Sequence, residues 1–151
     1  MKPQYPLLCF FFINLMLSSC DMIGKDHITS ENQQNITLQE TSWKLVSFQD
    51  EKGQKTESGS SEITLIFHGD STLTGSSNSN TYSAMYNTDN RKVDIEKVIT
   101  TEVGEPSGSK YFKFLSSLES AISYKLVDAE LVISFGEKEQ ALILQTLIME
   151  E

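Results

Sequence analysis

Two thiols, two imidazoles and a run of short hydroxyl and amide side chains hold most of the reactive chemistry of this 151-residue chain. Cys9 and Cys20 are its only cysteines and both fall within the first twenty residues. A disulfide framework or a thiolate metal site in the rest of the chain therefore has no ligands to draw on. His27 follows Asp26 in a polar stretch, a pair better explained by chance than by metal binding. His68 closes a strand-like segment on the face opposite Ile63, Leu65 and Phe67, with no partner nearby in sequence, and is expected to face solvent. Ser79 sits in the Ser76–Thr81 stretch (SSNSNT) without a neighbouring histidine to activate it. Asn and Ser in such a stretch brace turns through their own backbone. Glu102 and Glu105 could pair as carboxylates, but nothing in their neighbourhood predicts burial, so a solvated loop is expected. Zinc spacing, a phosphate loop, a nucleophile elbow and a calcium loop are all missing from the sequence. The expectation is a protein with no catalytic residues, no metal and no cofactor.

Composition narrows the partners. The formal net charge is −9, from 12 basic and 21 acidic residues. Nucleic acid is excluded as a partner, because phosphate binding needs clustered Lys and Arg. Adhesion to anionic lipid by charge alone is disfavoured for the same reason. With 38% hydrophobic and 22% charged residues the chain is globular, and its length allows one domain.

The amino-terminal segment gives Cys20 its context. Lys2 supplies positive charge, and residues 7–17 (LLCFFFINLML) form an apolar run too short to cross a bilayer as a helix of roughly 20 residues. Leu17, Ser18, Ser19 and Cys20 follow. This resembles the lipobox of bacterial lipoproteins: an aliphatic residue, two small residues and an obligatory cysteine. The resemblance implies a diacylglycerol thioether on Cys20, cleavage just before it, and anchoring by acyl chains such as palmitate, each buried CH₂ contributing about 0.8 kcal/mol. Residues 1–19 are then a lipoprotein signal peptide. Their loss removes Lys2 and no acidic residue, taking the charge from −9 to −10. Cys9 goes with them. Asp21 resembles the inner-membrane retention signal of enterobacteria, a rule that does not hold in other lineages, so inner versus outer membrane stays open. Residues 20–37 lack hydrophobic periodicity and read as a flexible tether with a reach of roughly 20–25 Å.

From residue 38 to 151 the pattern is that of a folded domain. Thr41–Phe48 alternates with Trp43 and Leu45 on one face. Glu62–His68, Ser71–Thr74, Thr81–Tyr86 and Lys92–Ile99 also read as strands, and residues 50–61 as an exposed loop. The period then changes: Tyr111, Phe114, Leu115, Leu118 and Ile122 recur at three- and four-residue spacing, predicting an amphipathic helix over about 107–122. Ser123–Val127 and Leu131–Phe135 form a hairpin, and Ala141–Leu147 ends the domain with apolar residues on both faces. The fold class is α+β, mostly β: an antiparallel curled sheet or small barrel with one amphipathic helix.

Several of these residues occur in a familiar order. Thr41-Ser42-Trp43-Lys44-Leu45 resembles the opening strand of the META/HslJ-like domain family. The stretch from Gly75 to Tyr86 resembles that family's G-x-x-G-C-N-x-Y-x-G-x-Y signature. Gly75, Asn80, Tyr82 and Tyr86 match it, while Asn78, Ser79 and Ala84 replace its second Gly, its Cys and its third Gly. Thr101 to Pro106 resembles the T-x-M-A-C-P motif; Thr101 and Pro106 match, and Glu105 stands where Cys would be. The resemblance spans roughly residues 38–147. It implies structural roles for Trp43, Gly75, Asn80, Tyr82, Tyr86, Thr101 and Pro106. The family's two cysteines look suited to pairing, and a disulfide there would contribute about 2–4 kcal/mol. With Ser79 and Glu105 in their places this chain has no such bond.

Together these readings predict a lipid-anchored, extracytoplasmic envelope protein. It would act as a non-enzymatic interaction or stress-related module, with the membrane bound through its acyl chains and an envelope protein as a partner. The alternative is a lipocalin-like barrel lipoprotein that binds a small ligand.

Overall fold

The computed structural model describes residues 37–147. The segments expected to be a signal peptide and a tether, with Leu17, Ser18, Ser19 and Cys20, lie outside the described residues, except for Thr37.

Nine strands and one helix follow in the order β1 (Thr41–Gln49), β2 (Lys55–Glu57), β3 (Thr64–Phe67), β4 (Thr72–Ser76), β5 (Thr81–Asp89), β6 (Lys92–Thr100), α1 (Tyr111–Glu119), β7 (Ala121–Val127), β8 (Glu130–Phe135) and β9 (Gln140–Thr146). Each strand from β3 to β9 pairs with the next, and β9 returns to pair with β1. All ladders are antiparallel, so β1 and β3–β9 form a closed eight-stranded barrel. Of the curled sheet or small barrel expected from the sequence, the barrel is the observed form. β2 lies within the segment read as a loop. It is fully exposed and pairs with Ser47–Gln49 on the edge of β1 that also carries β3.

Alternation along the strands fills the interior. Trp43 and Leu45 of β1, Leu65 and Phe67 of β3, Leu73 of β4, Tyr82, Ala84 and Tyr86 of β5, and Val93 and Ile95 of β6 share one buried cluster. A bulge between Leu45 and Ser47 shifts the β1 register and turns Phe48 inward as well. Burial of each large apolar side chain contributes about 1.5–3 kcal/mol. In β9, Leu142 and Leu144 join this cluster, while Ile143 packs with Val132 and Ala141 in a second, smaller one. The two-faced burial expected of β9 is observed.

The β6–β7 junction is the weak seam of the barrel, paired only at Lys92 and Ser123. The intervening chain carries α1, which buries Tyr111, Phe114, Leu115 and Leu118. The helix is shorter than predicted at both ends. Gly108 adopts φ +83° in a turn closed by the Ser109 N–H on the Pro106 carbonyl, which delays the start. At the other end Ala121 pairs with Phe135 of β8 and takes the backbone into a strand. Ile122, which continues the helical spacing, lies in β7 with its side chain 52% exposed.

Candidate functional site

Glu105 occupies the centre of the polar constellation at one end of the barrel. Its Oε1 accepts hydrogen bonds from Ser77 Oγ and from Asn80 Nδ2 at 2.6 Å. Its Oε2 accepts from Ser61 Oγ at 2.8 Å and Ser109 Oγ at 2.7 Å. Four donors on two oxygens fill the carboxylate, and all of them come from neutral side chains. Partial burial acts to raise the pKa, but the hydrogen bonds from Ser77, Ser109, Asn80 and Ser61 outweigh it and bring it from 4.5 to about 2. Ser61 and Ser109 also approach each other at 2.9 Å. Each hydroxyl has one proton, so with both directed at the carboxylate that approach is a contact rather than a further bond.

Asn80 is the second hub and is buried. Its Oδ1 accepts from the Val103 N–H at 2.7 Å and from Thr101 Oγ1 at 3.0 Å, and its Nδ2 also donates to the Val103 carbonyl. The Thr81 N–H in turn donates to Thr101 Oγ1. Three separate segments are thereby joined: the approach to β3 at Ser61, the β4–β5 turn at Ser77–Asn80, and the loop from Thr101 to Ser109. Ser109 Oγ accepts the Tyr111 N–H, so the start of α1 is tied to the same carboxylate.

The motif residues divide around this clamp. Asn80 and Thr101 belong to it. Gly75 and Tyr82 adjoin it: the Tyr82 hydroxyl donates to the Thr64 carbonyl at 2.7 Å, and a Cβ on Gly75 would collide with that hydroxyl and that carbonyl. Tyr82 stacks edge-on with Phe114 at 5.9 Å and lies 6.1 Å from Tyr111. Burial pushes its phenol pKa well above 10, with Tyr111 adding to the effect. Pro106 is exposed and contributes its carbonyl to the turn before α1. Trp43 and Tyr86 are not brought into the clamp. Trp43 Nε1 donates to Thr41 Oγ1 within β1, and the Tyr86 hydroxyl donates to the His68 carbonyl at 2.7 Å. His68 is half-buried, with Nε2 2.8 Å from Thr74 Oγ1, rather than turned freely to solvent.

Glu105 departs from the solvated loop expected of it. Composition gives no sign of this, because its donors come from residues 4 to 44 positions away. The one available signal was its place in the motif, opposite a turn rich in Ser and Asn. The arrangement positions loops and offers no activated nucleophile: every hydroxyl around the carboxylate gives its proton to it. Among the described residues no group of three or more His, Cys, Asp or Glu side chains is placed to hold a metal.

Comparison with known proteins agrees with this architecture. Among curated proteins none matches the chain. The barrel is similar to a protein from Burkholderia xenovorans solved by NMR, at 18% identity and TM-score 0.61, over 74% of this chain and 85% of that one. It is also similar to a DUF4847 family protein from Bacteroides vulgatus, at 19% identity and TM-score 0.57, over 75% of this chain and 96% of that one. At these identities the likeness concerns the fold. The META domain family model matches residues 36–146, most of the chain and every strand of the barrel. The chain belongs to the META domain family.

Proposed function

We propose that this protein is a lipid-anchored envelope component whose META barrel is a non-catalytic interaction module, with a role in envelope stress. The observation that carries the non-catalytic part is the way its polar groups are used. Glu105 is saturated by four donors of its own chain, and Tyr82, Tyr86 and Tyr124 each donate to a backbone carbonyl. Groups committed in this way brace loops and have little capacity left for a substrate. The interior supports the same reading over a ligand-holding barrel, because Phe67, Tyr111, Phe114, Leu118 and Ile133 fill it with no solvent exposure.

The location rests on the Leu17–Cys20 sequence and its apolar leader. Cells labelled with a fatty acid should incorporate it into the wild-type protein and not into Cys20→Ser. Equal label in both would refute the anchor. For the interaction role, crosslinking in the native envelope followed by pull-down should recover a protein partner. Recovery of a stoichiometric small molecule from the purified protein would instead favour the ligand-binding barrel.

A further inference from the structure

The donors around Glu105 are held in place by bonds that do not involve it. Asn80 is 1% exposed, and its amide is fixed by the Val103 carbonyl, the Val103 N–H and Thr101 Oγ1. Ser77 Oγ accepts the Asn80 N–H at 2.9 Å and the Ser79 N–H at 3.2 Å, which leaves its proton to point at the carboxylate. Ser109 Oγ accepts the Tyr111 N–H at 3.2 Å in the same way. Ser61 is 2% exposed and lies against Ser109 Oγ at 2.9 Å. With the carboxylate taken away, backbone groups still set Ser77, Asn80 and Ser109. The result is a cradle prepared for two oxygens: Ser77 and Asn80 serve one, Ser61 and Ser109 the other.

Donors in two pairs match the planar, two-oxygen shape of a carboxylate. All of them are neutral, so the cradle selects by hydrogen bonding and not by counter-charge. It already seats a full negative charge in a chain of net charge −9, so at this point four bonds outweigh the repulsion from the rest of the molecule. An empty cradle would leave the buried donors of Asn80 and Ser61 short of an acceptor, a state that costs free energy until another acceptor arrives. The way in is from solvent. Residues 101–104 and Pro106 are exposed, and a Cβ on Gly104 would meet nothing within 4 Å. Glu105 reaches the cradle from this open loop, and rotation about its own side-chain bonds withdraws it without moving a strand.

We propose that this cradle is a carboxylate-binding site with Glu105 as its internal ligand, closed from within and open to an external carboxylate once that side chain leaves. The ligand class is a carboxylate on a slim aliphatic stem, the group that an acidic side chain presents. Because Glu105 is tethered beside the cradle, its effective concentration there is on the order of millimolar or above, and an untethered carboxylate competes poorly while it is present. The same contact that braces the loops thus also blocks the site.

The test is a titration of the full chain in detergent with acetate, which carries the two carbons and two oxygens that Glu105→Ala removes. Ionic strength is held constant with chloride near pH 7, and NMR follows the side-chain amide of Asn80 and the backbone amide of Val103. In Glu105→Ala these signals should shift saturably with acetate and not with acetamide, which has the same shape without the charge. Adding Ser61→Ala should weaken the acetate affinity about fivefold or more. In the wild type the same signals should need at least about tenfold more acetate. If Glu105→Ala does not fold in chloride, acetate should restore its unfolding transition at Trp43 by mass action, where equal chloride or acetamide does not. A Glu105→Ala protein with neither a saturable response nor a recovery of folding overturns the proposal. So does acetamide acting as well as acetate, an affinity unchanged by Ser61→Ala, or a wild type that binds acetate as tightly as the variant. None of these readouts involves the lipid anchor or a captured partner, so a failed titration is distinct from a failure of the envelope role.

Discussion

Replacing Glu105 with Gln should weaken the fold by an amount that depends on pH. The folded carboxyl has a pKa of about 2 against an ordinary 4.5. At about 1.36 kcal/mol per pH unit that difference sets an upper limit of roughly 3 kcal/mol. The group is only partly buried, and screening by water brings the expected contribution to about 1–2 kcal/mol. A depressed carboxyl pKa stabilises the fold above the unfolded value near 4.5, and that stability is lost as pH falls toward 2. Gln keeps one oxygen for Ser77 and Asn80 and turns an amide N–H₂ toward Ser61 and Ser109, whose hydroxyls can rotate to accept. The variant therefore keeps the geometry and loses the charge-assisted strength of the bonds. Denaturant unfolding can be followed through Trp43, the single tryptophan, which is buried. Near pH 7 the variant should be about 1–2 kcal/mol less stable than wild type, a melting shift of roughly 4–8 °C. Near pH 2 the two should nearly coincide. Other carboxylates titrate in both proteins and cancel in the difference. A gap that stays constant from pH 7 to pH 2 would show that the charge of Glu105 does not hold the clamp.

Two further outcomes follow from the Gly75–Tyr82 contact. Gly75→Ala should cost about 1–3 kcal/mol in thermal or chemical unfolding, because the new Cβ meets the Tyr82 hydroxyl and the Thr64 carbonyl and the sheet must shift to admit it. Tyr82→Phe should cost about 1 kcal/mol at neutral pH through loss of the bond to Thr64. A phenol pKa raised by folding gives stability that is intact below pH 10 and lost as pH rises beyond it, so the wild type should weaken above pH 10 more steeply than the Phe variant in parallel unfolding curves.

Strand alternation and the helical spacing of Tyr111, Phe114, Leu115 and Leu118 are local signals, and they placed most elements and the inward face of each. Period 2 or 3.6 states which side chains share a face, and the hydrophobic effect then requires that face to be covered. Local signals set element ends poorly. The helical spacing runs on to Ile122, yet pairing with β8 takes the chain into a strand at Ala121. β2 shows no periodicity in sequence, because its three residues are all exposed and it exists through its ladder to β1. Closure of the barrel was likewise undecided between a curled sheet and a ring until β9 met β1.

The site divides in the same way. By itself the sequence located the thiols at one end of the chain, a lipobox-like stretch ending at Cys20, and Ser79 and Glu105 where the family resemblance implies cysteines. These are statements about residue type and order. Only the tertiary structure decided what Glu105 does, because a carboxylate's state depends on which donors surround it, and Ser61, Ser77, Asn80 and Ser109 converge on it from three segments separate in sequence. Where the family resemblance implies a pair of cysteines, a carboxylate with four donors joins the loops of this chain, and that role is legible only once the chain has closed on itself.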